Sequence, residues 1–133
     1  MAHQNHLGDL QLAIMRVLWT QGEATVAAVH AALEKERGLA LTTIATMLSK
    51  MEKKGVVRHR TEGRQFVYAP EVSEEEVHRS MVAELCERLF EGRASALVNH
   101  LLAHQEIDPR ELAEISRLIE EHARTEQREE NGR

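Results

Sequence analysis

Six side chains close together in the sequence are the ones best suited to do chemistry: Thr42, Thr43, Thr46, Ser49, Lys50 and Lys53. On a helix, at 100° per residue, Thr42, Thr46, Ser49 and Lys53 fall within about 60° of one another, flanked by Thr43 and Lys50. That face is short, polar and basic, because the nearest acid, Glu52, lies off the stripe. Threonine hydroxyls reach base edges or phosphate oxygens, and their methyls pack on thymine methyls. Lysines neutralise phosphate charge at the walls of a major groove. Arg58, Arg60 and Arg64 follow on what reads as a hairpin, placed to reach the adjacent backbone or minor groove. The chemistry implied is recognition of double-stranded DNA. The plainer alternative is a solvated helix face beside a basic hairpin.

The other reactive residue types have simpler explanations. His100 and His104 stand four residues apart, the helical spacing for two ligands of one metal ion. No third or fourth ligand lies near them in sequence unless a second chain supplies it, so a surface or interface pair is expected, with no metal and no cofactor. Cys86 is the single cysteine; it excludes an internal disulfide framework and reads as a small buried side chain rather than a redox sensor. His59 alternates with Arg58 and Arg60 and either meets phosphate or packs on its strand. Glu74, Glu75 and Glu76 suit the first turn of a helix, where the backbone dipole favours negative charge. With no Gly-rich phosphate loop, no His-Glu metalloprotease signature and no serine in a nucleophile elbow, the chain is not expected to be an enzyme.

The elements that must hold the polar face follow from periodicity. A first helix is expected over residues 9–20 with Asp9 as its cap, Leu10, Ala13, Ile14, Val17 and Leu18 forming one apolar stripe. Thr25 caps a second helix to about Glu36, and Gly38 stops it. A third, about Thr42 to Lys54, buries Ile44, Met47, Leu48 and Met51 and ends at Gly55. The period then becomes two. Val56–Arg60 and Gln65–Tyr68 read as strands around the turn Thr61-Glu62-Gly63-Arg64, with Pro70 ending the second. Three helices and a β-hairpin make a winged helix-turn-helix in a mainly α chain.

After Pro70 the character changes. Ser73 and Glu76 form a capping box for a helix to about Phe90, Ser95 is read as the cap of a shorter helix, and Asp108-Pro109-Arg110-Glu111 starts another. The apolar residues Val77, Met81, Leu85 and Leu89, then Leu97 and Leu101, then Leu112, Ile115 and Ile119 need a covering surface. About sixty residues in three such helices are marginal as an independent core, so a second copy of the chain is the expected cover. The alternative is that they fold back over their own N-terminal domain. The expected organisation is a DNA-binding domain at 1–70, a helical dimerisation domain at 71–124, and a polar, disordered tail at 125–133.

Composition agrees with this division. The net charge is −5, but residues 1–70 hold nine Lys/Arg against six Asp/Glu, while residues 71–133 hold eight against sixteen. Six basic residues lie between Lys50 and Arg64, so the local field there favours phosphate despite the acidic whole. Aromatic residues, 3% of the chain, are too few for a surface that stacks single-stranded bases. No apolar run approaches the roughly 18 residues of a membrane span, and Met1 to Leu10 lacks a secretory pattern. A cytoplasmic protein with no membrane insertion is expected. A protein-interaction adaptor whose winged helix has lost DNA is the rival reading, and a salt titration of duplex binding separates the two.

The run from Leu41 to Leu48, continuing through Met51-Glu52-Lys53-Lys54-Gly55, resembles the recognition-helix segment of the BlaI/MecI/CopY repressors, the penicillinase-repressor family. The hairpin Glu62 to Pro70, the segment Ile14 to Trp19 and the segment Leu89 to Leu102 match the same family in order, so the resemblance spans about Leu7 to Glu121. It implies a winged-helix domain plus a helical dimerisation domain, repressing from palindromic promoter operators until an inducing signal arrives. The family's base- and phosphate-contacting positions fall on Thr42, Thr43, Thr46 and Lys50, with the wing arginine at Arg64. Some members carry a basic side chain where this chain has Ala45, so one contact is missing or moved. In the β-lactam branch a membrane sensor protease cuts near an Asn-Phe pair; here the stretch reads Asn99-His100-Leu101. In the copper branch C-terminal cysteine pairs bind metal, and this chain has only Cys86.

Overall fold

The structure is a computed structural model that describes residues 7–132. Residues 1–6 of the stretch read for a secretory pattern, and Arg133 at the end of the tail, lie outside the described residues. The chain divides into two compact units, one running to Leu89 and one beginning at Phe90.

The first unit holds α1 (Asp9–Gln21), β1 (Ala24–Thr25), α2 (Val26–Arg37), α3 (Leu41–Lys54), β2 (Val57–Glu62), β3 (Gln65–Pro70) and all but the last residue of α4 (Glu74–Phe90). Gly8, in extended backbone, is the N-cap of α1, and Asp9 sits inside the first turn, so the cap expected at Asp9 is one residue late. Its carboxylate still meets the positive end of the helix dipole. Thr25 caps α2 as expected, its side chain accepting from the Ala28 N–H at 3.1 Å. Gly38 and Gly55, both at positive φ, close α2 and α3.

The two long strands form the expected hairpin with a loop of only two residues, since Glu62 pairs with Gln65. Gly63 takes the positive φ of 63° that such a tight connection requires. Strand β1 has just two residues and was not legible as a strand. It pairs antiparallel with β3, giving the order β1-β3-β2. Under the sheet and helices lies one core in which Ile14, Met15, Leu18, Val29, Ile44, Leu48, Met51, Val56 and Val57 are fully buried.

Helix α4 starts from the Ser73 capping box, with Ser73 Oγ accepting from the Glu76 N–H at 3.0 Å and Glu76 Oε1 from the Ser73 N–H at 3.3 Å. Its first turns belong to the winged unit, which moves the expected boundary at residue 70. Val77 is 0% exposed inside that core, Val72 and Met81 pack against it, and Trp19 Nε1 donates to the Val72 carbonyl at 2.9 Å. Val77, expected at a dimer interface, is therefore already covered by its own chain. Truncating it to Ala removes two buried methyls and is expected to cost about 2 kcal/mol of stability, with unchanged oligomeric state; equilibrium urea denaturation measures the first and light scattering the second.

The second unit contains α5 (Ala94–His104) and α6 (Pro109–Asn131). Glu91 and Gly92, both at positive φ, turn the chain ahead of α5, which is capped at Arg93 rather than Ser95. Asp108 Oδ1 accepts from the Glu111 N–H at 2.9 Å, with Pro109 in the first turn of α6, as expected. The tail expected to be disordered from residue 125 is instead helical to Asn131. No Gly or Pro interrupts it before Gly132, and exposed pairs support it: His122 with Glu126 at 3.6 Å, and Thr125 Oγ1 donating to the Glu121 carbonyl at 3.0 Å. No residue of α5 or α6 is buried. Among the described residues no helix is long and apolar enough to cross a membrane.

Candidate nucleic-acid interface

Helix α3 is strongly two-faced. Ile44, Leu48 and Met51 are buried and Met47 is half-buried, with Gln11 Nε2 3.4 Å from its sulfur. On the other side Thr42, Thr43, Thr46, Ser49, Lys50 and Lys53 are all exposed, so the six predicted side chains share one solvent-facing surface. The helix begins at Leu41 without a side-chain cap, leaving its first N–H groups open at the end where the dipole favours an anion. Leu41 is itself exposed beside Thr42. A rigid cylinder with one polar, cationic side and one side sunk in a core is what a groove about as wide as a helix can accept.

The three hairpin arginines are not equivalent. Arg58 Nη1 donates to the Pro70 carbonyl at 2.9 Å and to Glu71 Oε1 at 3.1 Å. Arg60 is gripped by Glu23, through Nε at 3.3 Å and Nη2 at 2.8 Å, and its Nη1 donates to Glu62 at 2.8 Å. These bonds hold the Glu23 carboxyl below its ordinary range, the Arg60 hydrogen bond being the main cause. Arg64, in the two-residue turn at the tip, is exposed and has no hydrogen-bond or ion-pair partner among the described residues. Sequence spacing placed the three together. The structure brings only Arg64 to the tip as an uncommitted cation, and it commits Arg58 and Arg60 to carboxylates of their own chain. Glu23 and Glu71 lie 37 and 13 residues from their partners, a separation periodicity does not see.

Glu52 and His59 were also not legible as partners. His59 Nδ1 lies 2.7 Å from both Glu52 carboxylate oxygens, tying the last turn of α3 to β2. The imidazole stacks on Phe66, centroids 4.0 Å apart at 18°, with Tyr68 5.7 Å away. Burial raises the Tyr68 phenol above its usual range, helped by the Glu52 charge. Of the two sequence readings of His59, the strand-packing one describes its place here.

Elsewhere, His100 and His104 are exposed on α5 with ring centroids 4.7 Å apart, and His100 lies 5.8 Å from Phe90. Among the described residues no group of three or more His, Cys, Asp or Glu is placed to hold a metal ion. Cys86 is half-buried on α4. The remaining apolar residues proposed for self-association stand in the open: Leu85, Leu89, Leu101, Leu112 and Ile119 are exposed, Leu89 by 68% and Ile119 by 59%, while Met81, Leu97 and Ile115 are half-buried. A groove of about 580 Å³ runs between Val98 of α5 and Ile115, Leu118 and Ile119 of α6.

Comparison with known proteins places this geometry. The family model described as penicillinase repressor matches residues 7–121. The penicillinase repressor of Bacillus licheniformis is 29% identical over 116 residues, 87% of this chain and 91% of that protein. The transcriptional regulator BlaI of Mycobacterium tuberculosis is 38% identical over 104 residues, 77% of this chain and 75% of that protein. Among solved structures, the DNA-binding domain of the repressor BlaI aligns with a TM-score of 0.50 at 34% identity, covering 57% of this chain and 93% of that one. A match over nearly the whole chain, joined to a winged helix with its polar helix face exposed, means that the chain belongs to the penicillinase-repressor (BlaI/MecI/CopY) family of winged-helix DNA-binding repressors.

Proposed function

We propose that the chain acts as a homodimer on palindromic promoter operators, each copy laying α3 in a major groove and Arg64 against the neighbouring backbone, until an inducing signal releases it. The observation that carries this reading is the exposed row Thr42, Thr43, Thr46, Ser49, Lys50 and Lys53 backed by a fully buried Ile44, Leu48 and Met51. The hydroxyls and Lys50 meet bases and phosphates, Lys53 meets phosphate, and the uncommitted Arg64 extends the footprint. Self-association is supported by two amphipathic helices with no buried residue and by the exposed Leu85 and Leu89 of α4. Covering those faces with a second copy removes apolar surface from water at about 25 cal/mol per Å² and pairs two α3 helices for two half-sites.

A membrane sensor protease is the partner to test for release. Asn99 and His100, the place the family resemblance indicates, sit in the middle of α5. The test of DNA binding is a salt titration on a duplex spanning the promoter of its own gene. Affinity is expected to fall steeply as salt rises, and Lys50→Ala to weaken binding about tenfold to a hundredfold. Arg64→Ala is expected to weaken it by more than Arg58→Ala, because Arg58 is already held by Glu71. Binding that ignores salt, or an Arg58 effect larger than that of Arg64, contradicts the assignment.

A further inference from the structure

A winged helix contacts DNA at two places, and their relative position is set by whatever joins the wing to the recognition helix. In this chain the junction is polar and specific. Glu52 leaves the last turn of α3 and His59 leaves the middle of β2, and the His59 Nδ1 sits 2.7 Å from both carboxylate oxygens. Phe66 closes the other side of the imidazole as a parallel ring at 4.0 Å. The pairing of His59 with Tyr68 lies three steps before the Glu62–Gln65 pair that ends the wing. At roughly 3.3 Å per residue that is a lever of about 10 Å, so a swing of about 10° moves the tip by nearly 2 Å. Such a shift breaks a hydrogen bond to a phosphate.

We infer that Glu52 and His59 are positioning residues of the DNA interface: their pair fixes the angle of the wing against α3 and so delivers Arg64 to its phosphate. The inference rests on the proposed repressor function. The groups facing the ring are the Glu52 carboxylate from α3 and the Tyr68 phenol and Phe66 ring from β3, while Arg58 and Arg60 leave from the opposite face of β2. The hydrogen bond to Glu52 on one side and the stacked Phe66 ring on the other leave the imidazole, and with it β2, little freedom to swing against α3.

The test is a double-mutant cycle on the full chain with a duplex spanning the promoter of its own gene. His59→Gln and Glu52→Gln are each expected to lose about fivefold to tenfold in affinity with little change in melting temperature; Glu52→Gln keeps an acceptor for the ring and serves if His59→Gln folds poorly. Arg64→Ala is expected to cost much less in the His59→Gln background than in wild type, because an unheld wing has already lost that contact. Full additivity of the His59 and Arg64 changes overturns the inference. Wild type that binds no duplex overturns the repressor reading and the inference with it, whereas variants that match a tightly binding wild type overturn the inference alone.

Discussion

Cutting the chain after Leu89 is expected to leave a folded monomer whose operator affinity falls by two to four orders of magnitude. The first unit ends at that residue and keeps its whole core, including Val77 and the Trp19–Val72 hydrogen bond. What it loses is the pair of helices with no buried residue and, with them, the second reading head. When one half-site is bound, the other then binds from bulk solution rather than at the effective concentration a dimer provides, and linked sites of this kind gain about 10²- to 10⁴-fold. Light scattering reads the oligomeric state and fluorescence anisotropy on a two-half-site duplex reads the affinity. Cutting after Pro70 is not equivalent. It removes Val72, Val77 and Met81 from the core and is expected to unfold the winged unit rather than merely separate the copies. A dimer that survives the cut at Leu89 would place self-association elsewhere.

The second large effect comes from reversing charge on the α3 face. Lys50→Glu with Lys53→Glu is expected to weaken operator binding by more than about a thousandfold, since two cations that release counterions become two anions facing phosphate. The slope of log affinity against log salt is expected to drop by about two, near 0.9 for each lysine lost. Both side chains are exposed, so the melting temperature stays close to wild type and the loss is separable from unfolding. A double variant that still binds with the wild-type slope would remove α3 from the interface.

Most of the winged helix was legible because it is written in local signals. The switch from a helical period to a period of two, the Thr25 and Asp108 caps, the Ser73 capping box and Gly63 in the turn each depend on neighbours within four residues, and each appears where expected. Three features resisted for a shared physical reason. Strand β1 is two residues long and exists only because β3 offers it a partner. The Arg60–Glu23, Arg58–Glu71 and Glu52–His59 pairs join different elements, so spacing carries no trace of them. Val77 reads as one more apolar position in a repeating helix, and only the placement of α4 against α1 decides that it is core rather than interface. The end of α6 is helical where its polarity predicts a disordered tail, because polar residues without Gly or Pro propagate a helix readily. Within the candidate site, the six polar side chains of α3 share the exposed face that their spacing predicts, while Arg58 and Arg60 of the wing also bond Glu71 and Glu23, partners that spacing does not reveal.

Nuclease protection of the promoter of its own gene by the full chain, with the Lys50→Glu, Lys53→Glu variant run beside it, reads directly whether α3 sits on DNA. Wild type should protect two symmetry-related half-sites centred about one or two helical turns apart, roughly 10 or 20 base pairs, and the variant should protect neither. A bare promoter at low salt, or the same footprint from both proteins, would contradict the claim that the outward face of α3 reads DNA.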